Sequence, residues 1–117
     1  MLQMVVYIAP SLETSLKGRS LDELSSSLIN ALRTARQFCG LEPKEMSLTA
    51  IYAAYVDKTT AEVQVELRGE MDDDDGFKES IAQHLIGATK YYLRMYPRVS
   101  VSVSVISQCA YFRISRD

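Results

Sequence analysis

The sequence is poor in the residues that build metal, cofactor and nucleic-acid sites. It has no tryptophan, one histidine, two cysteines and three prolines among 117 residues. Its net charge of −2 gives no basic excess for binding phosphates, which argues against a nucleic-acid partner. No apolar run approaches the ~20 residues of a membrane-spanning helix, so no membrane partner is expected.

The few metal-ligating residues are badly spaced for a site. Cys39 and Cys109 form no CxxC pair, which is typical of reduced thiols in the cytosol. His84 has no second histidine at ligand spacing, and the acidic residues 72–75 lack the spacing of an EF-hand loop. Glycine motifs for phosphates or dinucleotides are absent, and no basic stretch precedes the first apolar run. We therefore expect a cytoplasmic protein with no metal and no cofactor.

What is present is ordinary globular composition, with 47% hydrophobic and 24% charged residues. This length predicts one domain across residues 1–117. Residues 2–8 (LQMVVYI) are rich in strand formers. Ser20 and Glu23 form a capping box, and Leu24, Leu28 and Leu32 then recur at helical spacing, which predicts a helix to about Phe38.

Residues 46–56 predict the strand that ends the first half, and the alternating residues 60–68 predict the strand that begins the second. We expect these two strands to form a hairpin. A second helix is predicted to end before Pro97. Residues 99–105 alternate valine with serine, and residues 109–114 predict a short last strand. The apolar stripe of the second helix is predicted to be Phe77, Ile81, Leu85, Ala88, Tyr92 and Met95.

The element order is β-α-β-β-α-β with a short terminal strand. Because parallel strands joined through a helix cross over right-handed, both helices are expected on one face of one mixed sheet, an α+β fold. Two architectures have this order: the ferredoxin-like sandwich, and the tautomerase superfamily with two β-α-β units.

The chain resembles the tautomerase superfamily, in particular 5-carboxymethyl-2-hydroxymuconate isomerase and the relatives of macrophage migration inhibitory factor. The resemblance rests on the N-terminal strand, on residues 61–68 (AEVQVELR) before a loop and helix, and on the Pro97-Arg98-Val99 opening of an alternating strand. It rests also on the short strand after Gln108. It covers most of the chain and implies a homotrimer. The serine side of residues 99–105 would then line a central channel, or it forms a plain exposed sheet face.

The resemblance also implies a mechanism. In those enzymes a proline follows the initiator methionine, and its freed secondary amine moves protons between the carbons of an enol or ketone. Here residue 2 is leucine, a side chain too large for methionine removal, so we expect Met1 to stay. We therefore assign no catalytic residue, and we expect weak or no tautomerase activity.

The resemblance further implies a small carboxylate ligand. Arg36 lies where relatives keep a cation, although a cation in the last helical turn also complements the helix dipole, as Arg33 would. Ser100 and Ser102 match strand positions that line the pocket in relatives. The predicted ligand-binding residues are Met1, Leu2, Arg36, Ser100 and Ser102. The alternative is a ferredoxin-like binding or assembly module without catalytic function. Tyr91, Tyr92 and Tyr96 are interpreted as packing and interface residues.

Overall fold

Seven elements make up the part of the chain that the structure, a computed structural model, describes. The described residues are 2–9, 12, 21–34, 46–52, 62–69, 75–107 and 111–116. The strands are β1 (Leu2–Ile8), β2 (Met46–Tyr52), β3 (Val63–Arg68), β4 (Val101–Ile106) and β5 (Tyr111–Arg116), and the helices are α1 (Leu21–Thr34) and α2 (Asp75–Tyr92). Neither of these helices is both long and apolar enough to cross a bilayer.

The five strands form one mixed sheet in the order β2-β1-β3-β4-β5. β1 pairs with β2 and β3 pairs with β4 in parallel, whereas β1–β3 and β4–β5 are antiparallel. The sheet is therefore two β-α-β units joined side by side through β1 and β3. This confirms the predicted fold class, with both helices on one face and a short last strand.

The predicted hairpin between β2 and β3 is wrong, because β1 lies between them. The alternation in β3 reflects a sheet with one covered face, and it carries no information about which strand is the neighbour. The same pairing excludes the ferredoxin-like alternative. In that split arrangement another strand separates the parallel pair of each unit, whereas here β1 and β2 pair directly from Leu2↔Met46 to Ile8↔Tyr52.

The core lies between this sheet and the two helices. The inward side chains of β1, β3 and β4 alternate with outward ones, and Leu24, Leu28 and Leu32 cover them from α1. Each such side chain stabilises the fold by about 1.5–3 kcal/mol relative to an exposed one. The predicted stripe of α2 is confirmed over most of its length: three members are buried (Ile81, Leu85, Tyr92) and two are partly buried (Phe77, Ala88).

Met95 is the exception in that stripe, since its side chain is 74% exposed. The helix ends at Tyr92, and Leu93 to Tyr96 form a turn in which the Tyr96 N–H donates to the Leu93 carbonyl at 2.7 Å. Once the helical rotation stops, spacing by three or four residues no longer keeps a side chain on the apolar face. The prediction that Met95 packs inward is therefore wrong.

The serine side of β4 is covered within a single chain. Ser102 is 2% exposed and Ser104 is 6% exposed, although both point away from the helices. Ser102 lies between Gln64 of β3 and Ser115 of β5, whose strands flank it. The alternative of a plain exposed face is therefore wrong at these two serines. Longer side chains are in register beside both serines: Gln64 beside Ser102, and Glu66 and Arg113 beside Ser104.

Candidate functional site

Residue 2 begins β1 at one end of the sheet. Leu2 is 6% exposed, packs in the core and is in register with Met46, while the next residue, Gln3, is opposite Arg68. Its nitrogen is joined to Met1 by a peptide bond, and an amide nitrogen has no basicity. Met1 itself is outside the described residues. The position that carries the proline base in the resemblance is here a buried hydrophobic anchor of the first strand.

Ser100 braces the start of β3 and β4 at the other end. Its Oγ accepts a hydrogen bond from the Glu62 N–H at 3.0 Å, and its carbonyl accepts one from the Val63 N–H at 3.1 Å. Ser102, two residues further, is buried, and its Oγ has no hydrogen-bond partner in the described part of the chain. A buried hydroxyl without a partner costs free energy, so it is the kind of group that an incoming donor or acceptor satisfies.

The structure does not bring these residues together within one chain. Ser102 is opposite Gln64, which is opposite Tyr7. Tyr7 is near the far end of β1 from Leu2, and a strand rises about 3.3 Å per residue, so roughly 16 Å of strand separates the two levels. Leu2 and the two serines therefore lie at opposite ends of the sheet.

The predicted cation, Arg36, lies outside the described residues, so its part in a site stays a prediction. Arg33 is in the last turn of α1 and is exposed. There it complements the negative end of the helix dipole, which accounts for its charge without a ligand.

A surface pocket of about 380 Å³ adjoins Ser100. Glu62, Tyr96, Pro97, Arg98 and Val99 line it. The sequence analysis missed Glu62 and Arg98 as site residues, because a lone acid and a lone base on separate segments have no spacing in common. One signal was available for Arg98, which directly precedes the alternating residues 99–105 where the chain enters the sheet, whereas Glu62 falls inside the predicted strand 60–68.

The remaining candidates, one histidine and three tyrosines, differ in how exposed their side chains are. His84 is exposed on α2, its Nδ1 is 2.7 Å from the Ser80 carbonyl oxygen, and no cluster of three metal-ligating side chains occurs among the residues described. Tyr92 is buried and Tyr96 packs against the core, as the packing interpretation predicts. Tyr91 is 66% exposed, and the Arg94 guanidinium carbon lies over its ring, 4.6 Å from the centroid of that ring.

Comparisons with known proteins give the fold but no close relative. No family model matches the chain, and no curated protein matches it. Among solved structures, a 5-carboxymethyl-2-hydroxymuconate delta-isomerase superposes with a TM-score of 0.70 at 13% identity, over 94% of this chain and 84% of that one. The chain has the tautomerase fold.

Two further structures with the tautomerase fold agree. A fused 4-OT, described as an asymmetric trimer, superposes with a TM-score of 0.56 at 14% identity, over 91% of this chain and 84% of that one. A malonate semialdehyde decarboxylase superposes with a TM-score of 0.54 at 15% identity, over 92% of this chain and 84% of that one. At these identities the likeness establishes the fold alone. An isomerase and a decarboxylase share it, so the tautomerase fold does not by itself select a reaction.

Proposed function

We propose that this chain is a tautomerase-superfamily protein without the catalytic N-terminal proline. It forms one domain across residues 1–117, assembles as a homotrimer in the cytoplasm and binds a small carboxylate, with weak or no keto-enol tautomerase activity. The observation that carries the proposal is a tautomerase fold whose first strand begins with a buried leucine at residue 2. The fold supports the superfamily, and the leucine at residue 2 is the departure from its catalytic pattern.

The expected loss of activity follows from the position and type of the terminal amine, which is the base in the proposed ancestral reaction. Proton transfer needs the base within about 2.6–3.2 Å of its partner atom. With Met1 retained, the terminal amine is primary and is shifted by one residue, and a displacement of even 1 Å can cost roughly 100-fold in rate. A primary amine can still form a Schiff base with a ketone, so a slow residual turnover is consistent with the proposal.

The proposed ligand site is shared between copies of the chain. Leu2 and the serines Ser100 and Ser102 lie at opposite ends of one sheet, so a single chain cannot place them around one small ligand. A neighbouring copy in a closed ring can bring its own β4 beside the start of β1. A ligand site built from these residues therefore requires assembly, whereas the trimer does not depend on the site.

The deciding experiment is Leu2→Pro, with the N-terminal residue of both proteins determined by mass spectrometry. Proline at residue 2 permits methionine removal and exposes a secondary amine at the start of β1. We expect the unmodified protein to be nearly inactive on phenylenolpyruvate and 2-hydroxymuconate, and the variant to gain activity.

The control is Leu2→Ala, which also permits methionine removal but leaves a primary amine. Activity in Leu2→Pro and little in Leu2→Ala assigns the gain to the ring nitrogen. Strong activity of the unmodified protein contradicts the proposal. If none of the three proteins is active, a binding protein without catalysis is the better description.

The carboxylate ligand has its own test in Arg36→Ala. If Arg36 holds a carboxylate, its loss removes a hydrogen bond to a charged group, a weakening of about 1.5–3 kcal/mol. We expect calorimetry with small dicarboxylates to show binding by the unmodified protein and none by the variant. Arg33→Ala, on the exposed last turn of α1, is the matched control and should bind normally. No binding by the unmodified protein would reduce Arg36 to a helix-end charge.

A further inference from the structure

The pocket beside Ser100 is distinct from the proposed N-terminal site. It lies at the end of the sheet away from Leu2, where β3 and β4 begin. Its volume of about 380 Å³ is at the small end of ligand pockets, which span roughly 300–1,000 Å³. It therefore has room for a small organic molecule.

The walls of this pocket are held in place by hydrogen bonds. The Glu62 N–H donates to Ser100 Oγ at 3.0 Å. Among the other lining residues, the Val99 carbonyl accepts from Lys90 Nζ at 2.8 Å, and the Val99 N–H donates to the Tyr96 carbonyl at 3.1 Å. A backbone fixed in this way loses little conformational freedom when a ligand enters. The pocket is thus formed before any ligand binds.

The residues that line this pocket include one acid and one base. Tyr96, Pro97 and Val99 are the uncharged lining residues, and Glu62 and Arg98 are the charged ones. No ion pair joins these two groups, and neither has an ion-pair partner elsewhere in the described chain. A simple carboxylate is attracted by Arg98 and repelled by Glu62, and a simple amine meets the reverse. A small zwitterion satisfies both charges.

We propose that this pocket binds a free α-amino acid with an aliphatic side chain. The α-carboxylate pairs with Arg98, the α-ammonium pairs with Glu62, and the side chain packs on Tyr96, Pro97 and Val99. The adjacency of both charges on one carbon distinguishes a free amino acid from a peptide, in which they are separated. The site uses neither the terminal amine nor Arg36, so it stands or falls apart from the proposed tautomerase ancestry.

The test is a titration of ¹⁵N-labelled protein followed by ¹H–¹⁵N NMR, with three matched ligands. L-Leucine carries both charges, 4-methylpentanoate lacks the ammonium, and 3-methylbutan-1-amine lacks the carboxylate. We expect leucine to shift the amides of Glu62, Tyr96, Arg98 and Val99, and each analogue to bind about two- to fivefold more weakly.

Two variants give a signature that a structural role would not produce. Glu62→Gln should weaken leucine and strengthen 4-methylpentanoate, whereas Arg98→Gln should weaken leucine and strengthen 3-methylbutan-1-amine. Arg94→Gln, an exposed arginine outside the pocket, is the control and should change neither. The spectra themselves show whether each variant is folded. The proposal is overturned if leucine leaves the pocket amides unshifted, or if both analogues bind as well as leucine in the unmodified protein.

Discussion

At the scale of single residues, two buried polar side chains depart from what their residue types predict. Lys78 is fully buried on α2, and Ser102 is buried with a hydroxyl that has no hydrogen-bond partner among the described residues. The sequence contains the signal for the burial of Lys78. This residue precedes Ile81, Ala82 and Leu85 by three, four and seven residues, a spacing that places it on the apolar face of the helix. The sequence contains no such signal for Ser102, because its burial depends on which strands flank β4, and local sequence does not specify them.

The unpartnered hydroxyl of Ser102 predicts an unusual response to truncation. Ser102→Ala removes a buried group that makes no hydrogen bond in the described chain, so we expect the free energy of unfolding to stay equal or to rise by up to about 1 kcal/mol. Urea unfolding at several protein concentrations measures it, because assembly makes stability depend on concentration.

Thr89→Val is the matched control for that measurement. Its buried hydroxyl donates to the Leu85 carbonyl at 2.8 Å, so removing it should cost about 0.5–1.5 kcal/mol. A loss of similar size in Ser102→Ala, unchanged by protein concentration, would show that the Ser102 hydroxyl has a partner within the chain. A loss that grows on dilution would place that partner in a neighbouring copy.

At the scale of elements, the sequence predicted where strands and helices lie, but it did not predict which strands pair with each other. β1 occupies the predicted residues 2–8, and the leucine stripe of α1 is buried as its period predicts. The error was the hairpin of β2 and β3, because a short connection and two β-rich segments favour local pairing. What decides against it is the direct parallel pairing of β1 with β2, a contact made across α1 and thus distant in sequence.

One lysine side chain ties the turn after α2 to the start of β4. Lys90 Nζ donates to the Val99 carbonyl at 2.8 Å, in a partly buried position that joins the last helical turn to the start of β4. We expect Lys90→Met, which keeps the aliphatic stem, to lower the free energy of unfolding by about 1–2 kcal/mol. Amide exchange at Tyr96 and Val99 should also quicken, which hydrogen-exchange NMR measures.

Arg94→Met is the comparison for Lys90→Met. Arg94 also donates to a backbone carbonyl, that of Tyr91 at 3.0 Å, and covers the Tyr91 ring, but the residue is exposed. Exposed contacts of this kind are worth about 0.5 kcal/mol. If both variants lose the same stability, burial of the Lys90 contact is not what fixes the turn.

At the scale of the whole molecule, the sequence predicts the fold but not the geometry of the site. The alternation of β4 and the two β-α-β units lead to the tautomerase fold, because layer architecture follows from the order of elements. The candidate ligand residues were taken from a resemblance, which carries positions in the chain but no distances. The separation of Leu2 from Ser102 depends on strand direction and register, which only the assembled sheet defines.

The last prediction concerns assembly. The outward face of the sheet presents Gln64, Ser102 and Ser115 in one cross-strand row, with neither described helix covering it. A polar face that contains two serines, one of them with a hydroxyl that has no partner in the described part of the chain, fits the interior of a closed ring of three copies. We expect light scattering to give about three times the 13.2 kDa chain mass.

Ser115→Arg tests whether that face is involved. Ser115 is exposed in the single chain, so an arginine there leaves folding intact but introduces one charge per copy beside Ser102. In a trimer the three like charges crowd together and repel one another, so the mass should fall toward that of one chain, most clearly at low salt. Asn30→Arg, on the exposed surface of α1, adds the same charge elsewhere and should leave the mass unchanged. A single-chain mass for the unmodified protein at micromolar concentration contradicts the trimer. A trimer that tolerates Ser115→Arg would mean that the copies meet through another face.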